Sequence, residues 1–213
     1  MANDKSNILI IDDHTLFRSG VKRILAECPG VGLVEEAANG AEAIMRFSVR
    51  HYDCVLLDIF MPGESGLEVI RRLKVLDPEA RYLFLSMYPE EQYGVRAIKA
   101  GAAGYLTKNV HPDTLKEAVG RVCGGQSYID GVLADKLTDE IRGGGKAAHE
   151  KLSDRELQVL VMIASGKTVS LIARELYLSV KTVSAHRANI LRKMGLSNNS
   201  ELIQYAVKNG LVY

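Results

Sequence analysis

The 213-residue chain has few cysteines, no long apolar run and almost no net charge, and each shortage excludes a class of protein. Its three cysteines, Cys28, Cys54 and Cys123, are widely spaced and form no CxxC pair. That leaves neither a disulfide framework nor a cysteine zinc site, and it fits a reduced, cytoplasmic chain. No apolar stretch approaches the roughly 18–20 residues needed to cross a bilayer, so no membrane span is expected. The opening residues Met1–Ser6 are polar and lack the apolar core of a signal peptide. Disorder is excluded as well, because 47% of the residues are hydrophobic.

The near-neutral total hides an asymmetry. Residues 1–125 carry a balance of −2 and residues 126–150 a further −2, whereas residues 151–213 carry +5. A basic C-terminal unit on an acidic body suits a polyanionic partner, although an excess this small also arises by chance.

Residues 1–125 alternate short apolar runs with segments of helical period. The runs are Ile8–Ile11, Leu33–Val34, Cys54–Leu57, Tyr82–Leu85 and Gly104–Leu106. Several are apolar without alternation, as strands covered on both faces are. Five βα units in this length predict an α/β, doubly wound five-stranded parallel sheet, with 2-1-3-4-5 a common strand order. Residues 126–148 read as a linker containing Gly143–Gly145, with a short helix over Val132–Ile141 ahead of the glycines.

Residues 149–213 show no strand signal and predict a small all-α domain of four helices. Ser153 and Glu156 make a capping box, with Leu152 and Leu157 as its hydrophobic staple, and the first helix runs to about Ala164. A second spans about Val169–Leu176. A third begins after Ser179 and ends near Met194–Gly195, and a fourth covers about Asn199–Lys208.

Ligands of open parallel sheets bind at the carboxyl ends of the strands. Asp12 and Asp13 follow the first run, Asp58 the third, Ser86 the fourth, and Thr107 and Lys108 the fifth. An isolated Asp-Asp pair is ordinarily a turn or a cap. Three carboxylates converging from adjacent strands are different, because they repel unless a cation joins them. Hard oxygen ligands suit Mg²⁺, Lys108 adds a fixed positive charge, and an Asp carboxylate is a competent nucleophile toward a phosphoryl group.

With these pieces in place, residues 7 to about 123 resemble the receiver domain of two-component response regulators. The resemblance rests on Ile8–His14, Leu56–Gly66, Leu85–Ser86 and Gly101–Lys108. It implies a flavodoxin-like receiver with Asp58 as phosphoacceptor and Asp13, Asp58 and the Phe60 carbonyl as Mg²⁺ ligands, Asp12 acting nearby through water. It implies that Ser86 and Lys108 contact the phosphoryl oxygens, with Ser86 and Tyr105 as the switch pair. Many receivers place a cis proline after the lysine. Asn109 stands there in this chain, where a cis bond would cost about 3 kcal/mol.

Val169–Met194 reads as helix-turn-helix. Val180, Val183, Ile190 and Met194 share one face of the third helix and are expected to pack inward, with Leu191 at the edge of that face. Lys181, Ala185, Ala188 and Arg192 form the opposite face, with Ser184 and Asn189 at its margins and Thr182, His186 and Lys193 along one flank. Small and basic residues together suit a recognition helix in a major groove, though a solvated amphipathic helix has similar composition.

Residues 149–213 resemble the LuxR-type helix-turn-helix domain through Leu152–Glu156 and Leu178–His186, so the whole chain resembles a response regulator of the NarL/FixJ type. That implies a sensor histidine kinase and promoter DNA as partners, and a homodimer on DNA with a contact around Leu202, Ile203, Ala206 and Val207. Two rival readings stay open at this point. One is a DNA-binding regulator whose receiver is never phosphorylated. The other is a small-molecule phosphatase using Asp58, which is weakened because Phe60 stands where such hydrolases usually carry a second Asp.

Overall fold

The computed structural model describes residues 5–141 and 147–212, with side chains at 139–141 left aside. Gly143–Gly145, read as the flexible part of a linker, lie outside the described residues. The chain divides into two compact units, residues 1–134 and 135–213.

The first unit contains β1 (Ser6–Ile11), α1 (Thr15–Ala26), β2 (Val31–Ala37), α2 (Gly40–Phe47), β3 (Cys54–Leu57), α3 (Gly66–Leu76), β4 (Arg81–Ser86), α4 (Glu90–Lys99), β5 (Gly104–Thr107) and α5 (Pro112–Cys123). All five strands are parallel, in the order β2-β1-β3-β4-β5. Side chains alternate across a sheet, so continuously apolar strands need cover on both sides. On one side Ile8, Ile10, Cys54, Leu56, Leu83, Leu85 and Leu106 pack with Val21 and Leu25 of α1 and Leu115, Val119 and Val122 of α5. The alternate residues Leu9, Ile11, Val55, Leu57 and Phe84 are equally buried, as are Leu67, Ile70 and Leu73 of α3 and Tyr93 of α4. Every β3 residue is buried, as expected of the central strand.

The helices begin where side chains satisfy their first N–H groups. Asn39 caps α2 and Ser65 caps α3 in a full capping box with Glu68. Pro112 opens α5, where its missing N–H costs no hydrogen bond.

The unit continues past residue 125. Tyr128 donates its N–H to the Ala103 carbonyl and bridges Gly104 at the free edge of β5. Helix α6 (Gly131–Ile141) follows, and its Leu133 is buried against Gly94 of α4. The helix expected within 126–148 therefore forms, and its first turn belongs to the receiver-side core.

The second unit takes in the later part of α6 and then a 3₁₀ turn (Ala148–Lys151), α7 (Asp154–Ala164), α8 (Val169–Glu175), α9 (Val180–Met194) and α10 (Asn199–Lys208). Helix α7 is buried from Glu156 to Ile163, on every side, and α8, α9 and α10 pack around it. Ser153 and Glu156 form the expected capping box, Ser179 accepts the Thr182 N–H, and Gly195 closes α9 in the left-handed conformation.

One expectation for α9 fails. Val183 and Ile190 are buried, but Val180 is half exposed. It occupies the first position of α9, directly after the Ser179 N-cap, where the chain has just left the turn that follows α8.

Gly66 begins α3 directly beneath the phosphoacceptor candidate. A Cβ there would press onto the Asp58 carbonyl oxygen, a backbone atom that no rotamer change can move. Gly66→Ala is therefore expected to destabilise the first unit by about 2–3 kcal/mol, measured by urea unfolding. Wild-type stability in that variant would show that the loop relaxes freely.

Candidate functional site

The ends of β1 and β3 deliver the acidic residues to one place. Asp12 and Asp13 follow β1 and Asp58 follows β3, and Asp12 and Asp58 are fixed by backbone bonds to the neighbouring strand. The Asp12 N–H donates to the Ala37 carbonyl and the Asp58 N–H to the Ile11 carbonyl. Potential ligand atoms of Asp12, Asp13, His14 and Asp58 lie within 4.8 Å of one another. Asp12 and Asp58 are buried and Asp13 is half-buried.

Lys108 joins them. Following β5, it donates from Nζ to Asp58 Oδ2 at 2.6 Å and stands 2.7 Å from Asp12 Oδ2. Its side chain is only 4% exposed, and its ammonium lies 4.8 Å from the centre of the Phe17 ring. Burial opposes the lysine charge, but Asp58 and Asp12 outweigh it and hold the ammonium above the ordinary lysine range. Asp58 experiences the converse. Burial pushes its carboxyl up to about 6 and Asp12 adds repulsion, while Lys108 and the Phe60 N–H oppose the rise.

Asp12 is held in place by its neighbours. Its Oδ1 accepts the His14 N–H at 2.8 Å, and Arg18 donates to its carbonyl. Asp13 Oδ1 is buried without a hydrogen bond, the His14 ring nitrogen lying 3.0 Å away at ion-pair distance only. A buried, unsatisfied carboxylate oxygen beside two further carboxylates is a donor set suited to a hard divalent cation such as Mg²⁺.

Ser86, fully buried at the end of β4, accepts a long 3.4 Å bond from the Tyr88 N–H. Its hydroxyl also reaches the Tyr105 oxygen. Tyr105 stands inward: its ring is buried and its hydroxyl donates to the Tyr88 carbonyl at 2.7 Å. Burial, first of all, raises the Tyr105 phenol. Phe60, Tyr88 and Tyr93 form an edge-on aromatic cluster with centroids 4.8–5.5 Å apart. The Lys108–Asn109 bond is trans, since no cis peptide occurs among the described residues.

The structure thus brings Asp12, Asp13, Asp58 and Lys108 into one cluster, with Ser86 and Tyr105 coupled at the adjacent strand ends. Sequence reasoning assigned no role to Arg18, His14 and Phe17. All three sit on the first turns after Asp13, and their spacing from the acidic pair was the available signal.

A separate surface lies on α9. Lys181, Ser184, Ala185, Ala188 and Arg192 are exposed, and Thr182, His186 and Asn189 are half-buried. Arg192 donates to Asn189 Oδ1 at 3.1 Å. Lys193 is committed elsewhere, donating at 2.6 Å to the buried Glu156 of α7. Burial, aided by Arg155 and Lys193 against Glu156, holds the His186 imidazole below its ordinary range. On α10, Leu202 and Ala206 are core, whereas Ile203 and Val207 reach solvent.

A parallel sheet ending in a lysine-bridged acidic cluster, joined to a helix-turn-helix unit, defines a signalling protein with an output domain. Comparison with known proteins agrees. Residues 8–120 match the response regulator receiver domain and residues 150–206 match the bacterial regulatory proteins of the luxR family. The chain is 38% identical to the transcriptional activator protein ExaE of Pseudomonas putida, over 96% of this chain and 97% of that protein. It is 34% identical to the response regulator UvrY of Escherichia coli K12, over 96% and 95% respectively. Among solved structures, RcsB of Salmonella enterica serovar Typhimurium, bound to a promoter in the presence of the phosphomimetic BeF3−, superposes with a TM-score of 0.64 at 25% identity, covering 96% of this chain and 99% of that one. The chain belongs to the NarL/FixJ-type response regulators, a receiver domain followed by a LuxR-type regulatory domain.

The raised Asp58 carboxyl has a consequence for stability. Folding raises it from the ordinary 3.8 to about 6, so its ionisation disfavours the folded state. The penalty is absent below about pH 4, where both states are protonated, grows as pH rises, and is complete above about pH 6. In chelator-containing buffer, Asp58→Asn is expected to stabilise the protein at pH 7 by about 2–3 kcal/mol, a gain that fades toward pH 4. Equal melting temperatures for the two proteins at pH 7 would contradict this electrostatic account.

Proposed function

We propose that Asp58 accepts a phosphoryl group from the phosphohistidine of a sensor kinase, and that this controls dimerisation and DNA binding by the second unit. The observation that carries the reading is the buried Lys108 ammonium shared by Asp12 and Asp58 beside the Ser86–Tyr105 pair. In the transfer, an Asp58 oxygen bonds to phosphorus as the bond between phosphorus and the kinase histidine nitrogen breaks, leaving an acyl phosphate. The Asp58 lone pair becomes the new O–P bond, the histidine nitrogen leaves with the P–N pair as a neutral imidazole because its ring holds a proton, and Lys108 would neutralise the phosphoryl oxygens. Asp12, Asp13, Asp58 and the Phe60 carbonyl would hold Mg²⁺, which supplies further charge neutralisation when bound.

The switch follows from Ser86. A phosphoryl group draws its hydroxyl toward Asp58 and away from Tyr105, which leaves the buried phenol held by the Tyr88 carbonyl of the β4–α4 loop and so couples that loop to the phosphoryl group. The second unit then pairs through the exposed Ile203 and Val207 of α10. Helix α9 enters the major groove with Lys181 and Arg192 toward phosphates, and Thr182, Ser184, Ala185, His186, Ala188 and Asn189 near base edges. Two such helices read half-sites about one DNA turn apart. The protein works in the cytoplasm as a regulator, and its only chemistry is gain and loss of its own phosphoryl group.

Sedimentation velocity with Mg²⁺, with and without beryllofluoride, tests the switch. Wild type is expected to shift from monomer to dimer, and Asp58→Asn to stay unchanged. No shift in either protein, together with no labelling by a radioactive acyl phosphate, would instead support a regulator independent of phosphorylation. For the DNA surface, Lys181→Ala is expected to weaken binding across sequences and to lower the salt slope of log K by about one, measured by anisotropy titration. An unchanged slope would remove Lys181 from the phosphate contacts.

A further inference from the structure

Six helices among the described residues end with the same pair of backbone bonds. One residue at the helix end donates its N–H three residues back, and the next residue donates five residues back. This closure needs a left-handed residue at the first of these positions, where glycine avoids the Cβ clash. Helices α4, α5, α7, α9 and α10 place Gly101, Gly125, Gly166, Gly195 and Gly210 there, all at positive φ. Helix α8 alone places a large side chain there, Tyr177, at φ 53°. It is the only non-glycine residue at positive φ among those described.

The geometry of the closure is intact. Tyr177 donates to the Arg174 carbonyl at 3.3 Å and Leu178 to the Ala173 carbonyl at 2.8 Å. The left-handed backbone is unfavourable for a tyrosine. Burial does not repay it, because Tyr177 is 77% exposed, and no hydrogen bond, ion pair or ring contact holds its side chain among the described residues. An uncompensated strained residue inside a repeated structural device points to a role outside folding.

Its position says which role. Tyr177 lies in the turn between α8 and α9, two residues before Ser179, the N-cap of α9. When α9 enters a major groove, the helix before it crosses the backbone, and the turn between them meets the lip of the groove. Exposed Arg174, Val180 and Lys181 flank it. A tyrosine combines a phenolic donor for a phosphate oxygen with an apolar ring that lies against deoxyribose.

We infer that Tyr177 is a DNA-backbone contact, kept in a strained left-handed turn at the expense of stability so that its ring and hydroxyl reach a strand beside the groove entered by α9. This rests on the DNA-binding reading above. The test compares full-length wild type, Tyr177→Gly, Tyr177→Phe and Lys181→Ala. Each is examined by calorimetric melting and, with Mg²⁺ and beryllofluoride present, by anisotropy titration against a short fluorescein-labelled duplex of randomised sequence at low salt.

Tyr177→Gly is expected to melt about 2–4 °C higher and yet bind the duplex about 3- to 10-fold more weakly. Tyr177→Phe should melt like wild type and show a smaller loss, which isolates the hydroxyl. Unchanged affinity in Tyr177→Gly would overturn the contact, and a lower melting temperature would make Tyr177 a structural residue instead. Failure of the parent reading looks different: wild type itself would not bind the duplex. If wild type binds and Lys181→Ala weakens it while Tyr177→Gly does not, only the Tyr177 assignment falls.

Discussion

Everything in the first unit that carries chemistry depends on one ammonium group. Lys108 lies almost wholly buried between Asp12 and Asp58, and it opposes the rise that burial and the neighbouring Asp12 impose on the Asp58 carboxyl. The sheet exists in a form that permits this. Strands β1, β3 and β5 end near one another because the order β2-β1-β3-β4-β5 places β1 beside β3 and only β4 between β3 and β5. An antiparallel arrangement would send half of those ends to the opposite edge. The lysine compensates the charges incompletely, as the upward shift of Asp58 shows. Such a cluster is stable enough to form and still favours an event that carries negative charge off the carboxylate.

The aromatic groups around this cluster turn a charge event into a change of shape. Ser86 reaches Tyr105, Tyr105 donates to the Tyr88 carbonyl, and Tyr88 stacks edge-on with Phe60, two residues after Asp58. The path leaves the acidic cluster through Phe60 and returns to it through Ser86, so both ends are anchored beside the phosphoacceptor candidate. Close-packed interiors deform in discrete steps. A short hydroxyl displacement at Ser86 therefore acts on a buried ring and on the β4–α4 loop that holds its partner.

Much of this was legible in the sequence because local signals and global fold agree. The five apolar runs became the five strands, and Ser153, Ser179 and Gly195 marked helix ends as their side chains dictate. The acidic residues were legible because strand ends of a parallel sheet share one edge. The losses all came from contacts distant in sequence. Lys193 reads as part of a basic flank until Glu156, 37 residues earlier, claims it. Val180 matches the apolar period of α9 but stays half exposed at its first position, where period alone does not guarantee cover from a neighbouring element. Tyr128 and Leu133 read as linker, yet β5 lacks a strand partner on its outer side and α4 presents Gly94, and these two features draw the segment in. Arg18 acts on the Asp12 carbonyl, and no side-chain pattern announces a backbone acceptor.

The same reasoning separates the two kinds of polar residue in the second unit. Glu156 serves folding twice, closing the cap of α7 at Ser153 and binding Lys193 of α9. Arg187 likewise ties α9 to the start of α10 through Asn199 at 2.6 Å. These charges are spent internally and fix the angle at which α9 stands on α7. Lys181 and Arg192 remain on the exposed face, and between them lie the small residues Ser184, Ala185 and Ala188. A helix with its cations at the two ends of a low-relief surface fits between two phosphate rows better than one studded with long side chains along its length. The +5 balance of residues 151–213 thus understates how selectively the charge is placed: Lys193 and Arg187 orient the helix, and Lys181 and Arg192 face outward where a polyanion would lie.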